Sequence, residues 1–459
     1  MNFNVRTDAR KIKKGDIFFA IKTENGDGHK YIEQAILNGA SKIVAEHGTY
    51  AVDTVIVDDT RKYLEKYLKE NYGKYIDEIH LIGVTGTNGK STIVHLIYQA
   101  LNKLGIKCAS IGSVGYFKKE GKVCYLANTT PDLCDLYDLM MNAYNDGYRY
   151  IALEASSHAL ANNRMNGLNF DYTIFTNLTR DHLDEHKTWE NYMNAKLKLF
   201  YMLKKTGKAI INFDDKVYEH FLLKENSNIT FGFNGGDYHI SDFKMNIDGS
   251  EFKLNYENNE EIFKTTLVGE YNISNLVPVI IILLDMKFNI NDIKKIIPNL
   301  EAPEGRIERI KYGTNNIYID YAHTPDGLEK VVGAISKVTK GNTYVVFCCR
   351  GNRDIGRRKG MMESATRLSK YAIVTSDNFY GEDQMHVVHD MVENLKATNY
   401  EICMDRRQAI FKGIDLLEEQ DSLLVLGHGH EATLTLENHQ KIPFIEKDII
   451  EEYIKDKVI

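Results

Sequence analysis

The stretch that most restricts this chain is Thr85-Gly86-Thr87-Asn88-Gly89-Lys90-Ser91. An apolar run at 79–84, of strand length, leads into it. Beyond it Ile93, Leu96, Ile97, Ala100, Leu101 and Leu104 recur at helical spacing until Gly105. The unit is strand, glycine-rich loop, helix. It gathers backbone N–H groups at a helix N-terminus, where the dipole favours an anion. Lys90 is set to reach the β and γ phosphates of a nucleotide, as a solvated loop residue until one binds, and the Ser91 hydroxyl to sit on Mg2+. Val84 stands where the strict G-x-x-x-x-G-K-[ST] pattern has its first glycine.

The same grammar returns along the chain. Short apolar runs at 148–153, 172–175, 208–211, 317–319, 344–347, 372–374 and 423–426 each end in polar residues. Helical segments lie between them, which predicts an α/β fold of parallel, doubly wound sheets. Ligands bind such sheets at the carboxyl ends of their strands, where these polar residues sit. Two sheets are expected, at 78–310 and 311–459, after an N-terminal unit of strands and helices at 1–77. Three domains also suit 459 residues at about 150 residues each.

Composition excludes several classes. The 57 basic and 64 acidic side chains give a net charge of -7, so no nucleic-acid partner is expected. Hydrophobic residues at 43% supply cores for a folded chain. The longest apolar runs, such as 277–284, fall far short of the ~20 residues that cross a bilayer, so no membrane insertion is expected. The start, MNFNVRTDARKIKKGD, holds no apolar signal core. Six cysteines without zinc spacing suit a reduced, cytoplasmic protein.

Three further runs carry chemistry. Glu154-Ala155-Ser156-Ser157-His158 puts a carboxylate at a strand end, suited to a metal, or merely solvated beside an N-cap made by Ser156 or Ser157. Asn177-Leu178-Thr179-Arg180-Asp181-His182 offers a histidine that is weak evidence alone. Lys196 reads by itself as a solvated helix charge.

Taken in order, these runs resemble the Mur ligases, ATP-dependent amide ligases of peptidoglycan precursor synthesis. The resemblance extends through Thr129-Thr130-Pro131, Asn272 with Asn275, Gly305-Arg306-Ile307-Glu308, Asp320-Tyr321-Ala322-His323-Thr324-Pro325, Asp377-Asn378 and 427–431. It is nearest the MurE type, which adds the third residue to UDP-N-acetylmuramoyl-L-alanyl-D-glutamate. It implies a three-domain architecture with a central P-loop ATPase-like parallel-sheet domain and a Rossmann-like C-terminal domain. It also implies a cytoplasmic monomer using ATP and Mg2+. A substrate carboxylate would attack the γ-phosphate, and an amine would displace phosphate from the acyl phosphate.

The resemblance implies roles residue by residue. Gly86, Thr87, Asn88, Gly89, Lys90, Ser91, Thr92, Asn272, Arg306, Asp320 and His323 would hold ATP. Ser91, Glu154, His182 and Lys196, the last as a carbamate, would be on the metal side, with Lys90, Lys196, His182 and Glu154 catalytic. Thr129, Thr130, Ser156, Asn162 and Arg164 would hold the UDP substrate. Arg353, Asp377, Asn378, Phe379, Tyr380, Gly427 and Glu431 would form the amino-acid pocket. Because that pocket and Lys90 belong to different sheets, the C-terminal domain is expected to close on the central one.

Departures fall at substrate-reading positions. The chain has Asp8-Ala9-Arg10 where the family has Asp-Ser-Arg, Asn162 for glutamine, His428 for lysine, and a bulkier Cys348-Cys349-Arg350-Gly351-Asn352 before Arg353. Diaminopimelate-adding members read Asp-Asn-Pro-Arg, whereas this chain reads Asp377-Asn378-Phe379-Tyr380. Without that arginine, meso-diaminopimelate is expected to be poor and L-lysine or L-ornithine preferred. Two alternatives stand beside the MurE reading: a ligase for another carboxylate acceptor, and a nucleotide-binding regulator.

Overall fold

The computed structural model describes residues 3–23, 26–225, 227–352 and 355–457. Its strands form three principal sheets. The first is parallel, in the order Val5–Arg6, Ile17–Phe19, Lys42–Ala45, Asp53–Ile56. The helix Thr60–Ile76 follows it, started by Asp59, whose carboxylate accepts from the Lys62 N–H. Its buried Leu64, Leu68, Tyr72 and Ile76 repeat every fourth residue. They join Val5 and Phe19 of the first sheet and Leu136 and Met140 of the helix Leu133–Asn145 in one apolar core. The N-terminal unit is therefore seated on the central one by burial.

The central sheet has 11 strands. Its middle is parallel: Cys108–Gly112, Tyr150–Glu154, His80–Thr85, Phe170–Phe175, Leu203–Asn212 and Ser227–Gly232 lie side by side. The expectation of a parallel sheet needs widening at both margins. A hairpin of Gly115–Lys118 and Gly121–Cys124 pairs antiparallel at one side. At the other, Tyr238–Asn246, Gly249–Tyr256 and Asn259–Thr265 form an antiparallel meander. Asp248-Gly249 between alternating apolar runs is the hairpin signal for that meander.

Two features of this sheet position the site. The strand His80–Thr85 lies between Tyr150–Glu154 and Phe170–Phe175, so three loops leave its carboxyl end together. The helix Trp189–Tyr201 packs hard on the same strand: a Cβ at Gly83 would lie 2.8 Å from Leu199 Cδ1 and 2.9 Å from Phe170. That close approach carries Lys196 to the loop.

The third sheet has six strands, with Asn315–Asp320, Ser422–Leu426, Thr343–Phe347, Tyr371–Val374 and Tyr400–Ile402 parallel. Its antiparallel edge, Arg306–Tyr312, straddles the break expected at 310. Under the strand Ser422–Leu426 lies a buried ion pair. Arg406 donates from Nε to Glu446 Oε1 at 2.8 Å and from Nη2 to the Leu426 carbonyl at 2.9 Å. Glu446 also accepts from the Gly429 N–H at 3.2 Å, so the pair braces the loop after that strand.

Both side chains are fully buried, so removing one leaves an uncompensated charge. Glu446→Ala should destabilise the C-terminal unit by about 3–5 kcal/mol. Thermal unfolding followed by calorimetry checks this, and an unchanged transition would remove the pair from the scaffold.

Candidate active site

The loop after His80–Thr85 is held from one side by the segment after Phe170–Phe175. Thr87 N–H donates to the Asn177 carbonyl at 2.8 Å and Asn88 N–H to Asn177 Oδ1 at 2.9 Å. Thr176 Oγ1 donates to the Asn88 carbonyl at 2.6 Å. Gly86 (φ +146) and Gly89 (φ +90) have no room for a side chain. A Cβ at Gly86 would fall 1.8 Å from Thr176 Oγ1, and one at Gly89 2.5 Å from Asn275 Oδ1. The helix Lys90–Lys103 starts directly after Gly89, with Ser91 and Thr92 buried in its first turn.

Lys90 is not the solvated loop residue expected. It heads the helix and folds back, Nζ donating to the carbonyls of Gly86 at 2.9 Å and Thr87 at 2.8 Å. Lys196, buried on its own helix, donates to the same Gly86 carbonyl at 2.7 Å and lies 4.4 Å over the Tyr192 ring. Burial pulls the Lys196 ammonium well below the ordinary lysine value, and Lys90 beside it adds to the fall. Burial also pulls Lys90 down; Glu154 opposes that and Arg306 reinforces it.

Glu154 is not the solvated carboxylate of the bland reading. It is fully buried, with Oε1 accepting from the Ser113 N–H at 2.8 Å and Oε2 from Ser113 Oγ at 3.3 Å. The N-cap half of that reading also holds, since Ser156 Oγ accepts from the Ala159 N–H at 3.2 Å. His182 takes a left-handed backbone (φ 53), with Nε2 3.4 Å from Asp181 Oδ2. Burial lowers its pKa against the pull of Asp181, which favours the neutral ring. Burial pushes the Asp181 carboxyl up, but His182, His323 and Arg357 outweigh it and hold it low.

The third sheet closes the site from above. Arg306 Nη2 donates to Ser91 Oγ at 3.3 Å, and Asn88 Nδ2 to Asp326 Oδ2 at 3.1 Å. Arg306 sits at a bulge beside Ile307, whose left-handed φ of 52 is unusual for a β-branched residue. Asp320 holds that turn, accepting from the N–H groups of Ile307 at 2.8 Å and Ala322 at 2.7 Å. Its carboxylate is spent on backbone, and burial raises its pKa. His323, lowered to about 3 chiefly by burial, donates from Nδ1 to the Tyr321 carbonyl at 2.8 Å, leaving Nε2 an acceptor. Asn272 is buried and donates to the Val268 carbonyl at 2.9 Å; with Thr92, Asp320 and His323 it lines a crevice beside the loop.

One cavity of about 590 Å3 runs across both sheets. At its floor are Thr87 to Ser91, Glu154, His182 and Lys196. At one end stand Thr129, Thr130, Ser156 and Arg164. Thr130 Oγ1 donates to the Glu154 carbonyl at 2.7 Å, and Arg164 donates to the Thr130 carbonyl at 3.3 Å. At the other end are Tyr321, Arg350, Arg357, His430 and Glu431. Arg306 Nε and Arg357 Nε and Nη2 are buried there without a hydrogen-bond partner among the described residues. Unpaired buried guanidinium nitrogens fit an anionic ligand.

Other expected residues sit differently. Asn162 is exposed and turns onto its own helix, donating to the His158 carbonyl at 2.9 Å, so it does not line the cavity. Ala9 is buried in an apolar cluster with Ile12 and Phe18. Arg353 lies outside the described residues. Asp377, Asn378 and Gly427 stand behind the far wall. Asn378 Nδ2 donates to Glu431 Oε2, and Asp377 is buried against His428 Nδ1 at 2.9 Å. Phe379 packs edge-on to His439, and Tyr380 is half-buried beside Arg350. Sequence reasoning missed Ser113, for which no local signal exists, and put Tyr321, within the segment 320–323, on the nucleotide side, whereas its hydroxyl meets Arg350 and Glu431.

With this geometry in hand, the comparisons agree along the chain. Residues 4–84 match the family model described as "Mur ligase family, catalytic domain", 84–283 "Mur ligase middle domain", and 305–429 "Mur ligase, glutamate ligase domain". The UDP-N-acetylmuramoyl-L-alanyl-D-glutamate--2,6-diaminopimelate ligase of Clostridium tetani is 37% identical over 99% of this chain and 95% of that protein. A solved structure of a ligase with that same description is 28% identical, with a TM-score of 0.68, covering 100% of this chain and 96% of that one. MurF ligase from Thermotoga maritima in complex with ADP is alike in fold, with a TM-score of 0.73 at 19% identity, covering 99% and 98%. The chain belongs to the Mur ligase family. Within that family it sides with the MurE type, as an ATP-dependent amide-forming ligase.

The depressed Lys196 makes a prediction with a definite sign. The unfolded chain binds a proton at this lysine up to a pKa near ~10.4, whereas the folded chain loses it well below that. Stability therefore rises with pH across the interval between the two values. In carbonate-free buffer Lys196→Met should melt higher than the parent at pH 7, and the gap should narrow as pH approaches 10. Calorimetry across pH checks this; an equal or lower melting temperature at pH 7 would contradict it.

Proposed function

We propose that this protein joins 2,6-diaminopimelate to UDP-N-acetylmuramoyl-L-alanyl-D-glutamate, consuming ATP, as a cytoplasmic monomer. The observation that carries the reading is the single cavity in which a phosphate loop, an acceptor wall and a pocket on a second sheet converge. The units at 1–77, 78–310 and 311–459 then serve the UDP moiety, the ATP and the incoming amino acid. The relatives named for this reaction align over 98–99% of the chain, which supports the acceptor and the amino acid alike.

Each step suits groups already in position. The N–H groups at the start of the helix Lys90–Lys103, Lys90 Nζ and Arg306 bind the triphosphate and orient the γ-phosphate toward the acceptor carboxylate. Arg164, Thr129, Thr130 and Ser156 hold the acceptor end. Attack on the γ-phosphate releases ADP and leaves an acyl phosphate, whose charge Arg306 and Arg357 face. The amine then displaces phosphate and forms the amide. The donor set also suits Mg2+, which takes oxygen ligands and would screen the phosphate charge. Ser91 Oγ and the Glu154 carboxylate are such donors, and His182 lines the same cavity. Lys196 fits as a carbamate, because burial lowers its pKa and so favours the neutral amine, the nucleophile that CO2 requires.

The test is phosphate release from ATP. It should require both the UDP-muramoyl dipeptide and the amino acid, and Lys90→Ala should lower kcat by about a thousandfold or more with the fold retained. Phosphate release independent of the dipeptide, or a fully active Lys90→Ala protein, would reject the reading.

A further inference from the structure

The expectation against diaminopimelate rests on Tyr380 and leaves open that a nearby arginine, Arg350, Arg357 or Arg358, reaches in. The structure adds Arg350, which reaches in from the loop after the neighbouring strand Thr343–Phe347. Its guanidinium carbon lies 5.8 Å from the Tyr380 ring centre, beside the position where the family's diaminopimelate-adding members carry arginine. We propose that Arg350 and Glu431 form a clamp for a zwitterionic terminus on the incoming amino acid, with Arg350 taking its distal carboxylate and Glu431 its distal ammonium. This deepens the reading above and rests on it.

The geometry has three parts. First, Arg350 Nη2 donates to Glu431 Oε1 at 2.7 Å within the cavity wall, so a cation and an anion stand ready at one spot. Second, each has its own anchor. Arg350 Nε donates to Asp377 Oδ2 at 3.2 Å, and Asp377 is fixed in turn by His428. Arg350 also donates to the Gly427 carbonyl at 3.1 Å and the Tyr321 hydroxyl at 2.8 Å. Glu431 accepts from Asn378 and from the Tyr321 hydroxyl. The pair can therefore part without either partner losing its place. Third, the ligand that best replaces an internal ion pair carries both charges. A terminus with carboxylate and ammonium satisfies both partners; a lone ammonium takes Glu431 and leaves Arg350 Nη2 without its carboxylate, with Asp377 reaching only Nε.

L-Lysine is diaminopimelate without the distal carboxylate, so the two amino acids isolate this contact. The full chain with ATP and the UDP-muramoyl dipeptide should show kcat/KM for diaminopimelate at least about tenfold above that for lysine. Arg350→Ala should cut that ratio by about tenfold to a hundredfold, through KM for diaminopimelate and not through KM for ATP. Arg350→Lys should recover part of it. A parent enzyme that prefers lysine, or an Arg350→Ala protein that loses both substrates equally, would overturn the clamp. The parent comparison alone decides the matter if the alanine variant does not fold. Absence of ligation with every amino acid would instead reject the acceptor and reaction proposed above.

Discussion

The Gly86 carbonyl oxygen is the point on which the site turns. Two lysine amines, Lys90 and Lys196, converge on this one acceptor from different helices. Burial depresses both, and each lowers or is lowered by a neighbouring cation. Such a cluster is short of negative charge by construction. The arrangement exists because Gly86 has no side chain and the helix Trp189–Tyr201 packs directly on Gly83. Sequence, packing and electrostatics thus meet at two glycines. A triphosphate would relieve the excess positive charge, and so would conversion of one amine to an anion.

The second constraint is the seam between the central and third sheets. Arg306 reaches Ser91 from an edge strand that bulges at Ile307, and Asp320 holds the bulge with two backbone hydrogen bonds. The buried carboxylate is therefore structural in its direct contacts, although the sequence reading gave it to the nucleotide. The seam combines polar contacts, Arg306 to Ser91 and Asn88 to Asp326, with an apolar patch in which Val268, Ile247 and Tyr271 of the central unit join the core of the third sheet.

Much of this architecture was legible in the chain. The phosphate loop announces itself because glycines, lysine and helix periodicity fall together, and most strand runs lie within a few residues of the observed strands. Lys196 was not legible from its surroundings. A lysine among helix-forming residues looks solvated, and its burial depends on a close helix–strand approach set by Gly83. Glu154 was ambiguous for a similar reason, since Ser113, which fixes it, arrives from a strand end far away in sequence. Asn162, which stands where the family has glutamine, faces outward, because its amide is satisfied by its own helix. Read along the chain Tyr380 is a lost arginine, and read across the sheet it stands beside Arg350.

The account holds that the nucleotide site is completed by the third sheet and not by the phosphate loop alone. Calorimetric titration of a non-hydrolysable ATP analogue with Mg2+ into the parent and Arg306→Ala proteins tests this most directly. The account predicts binding weakened by about tenfold or more in the variant, because a charge-assisted contact from the third sheet is lost. Equal affinity in the two proteins would contradict it.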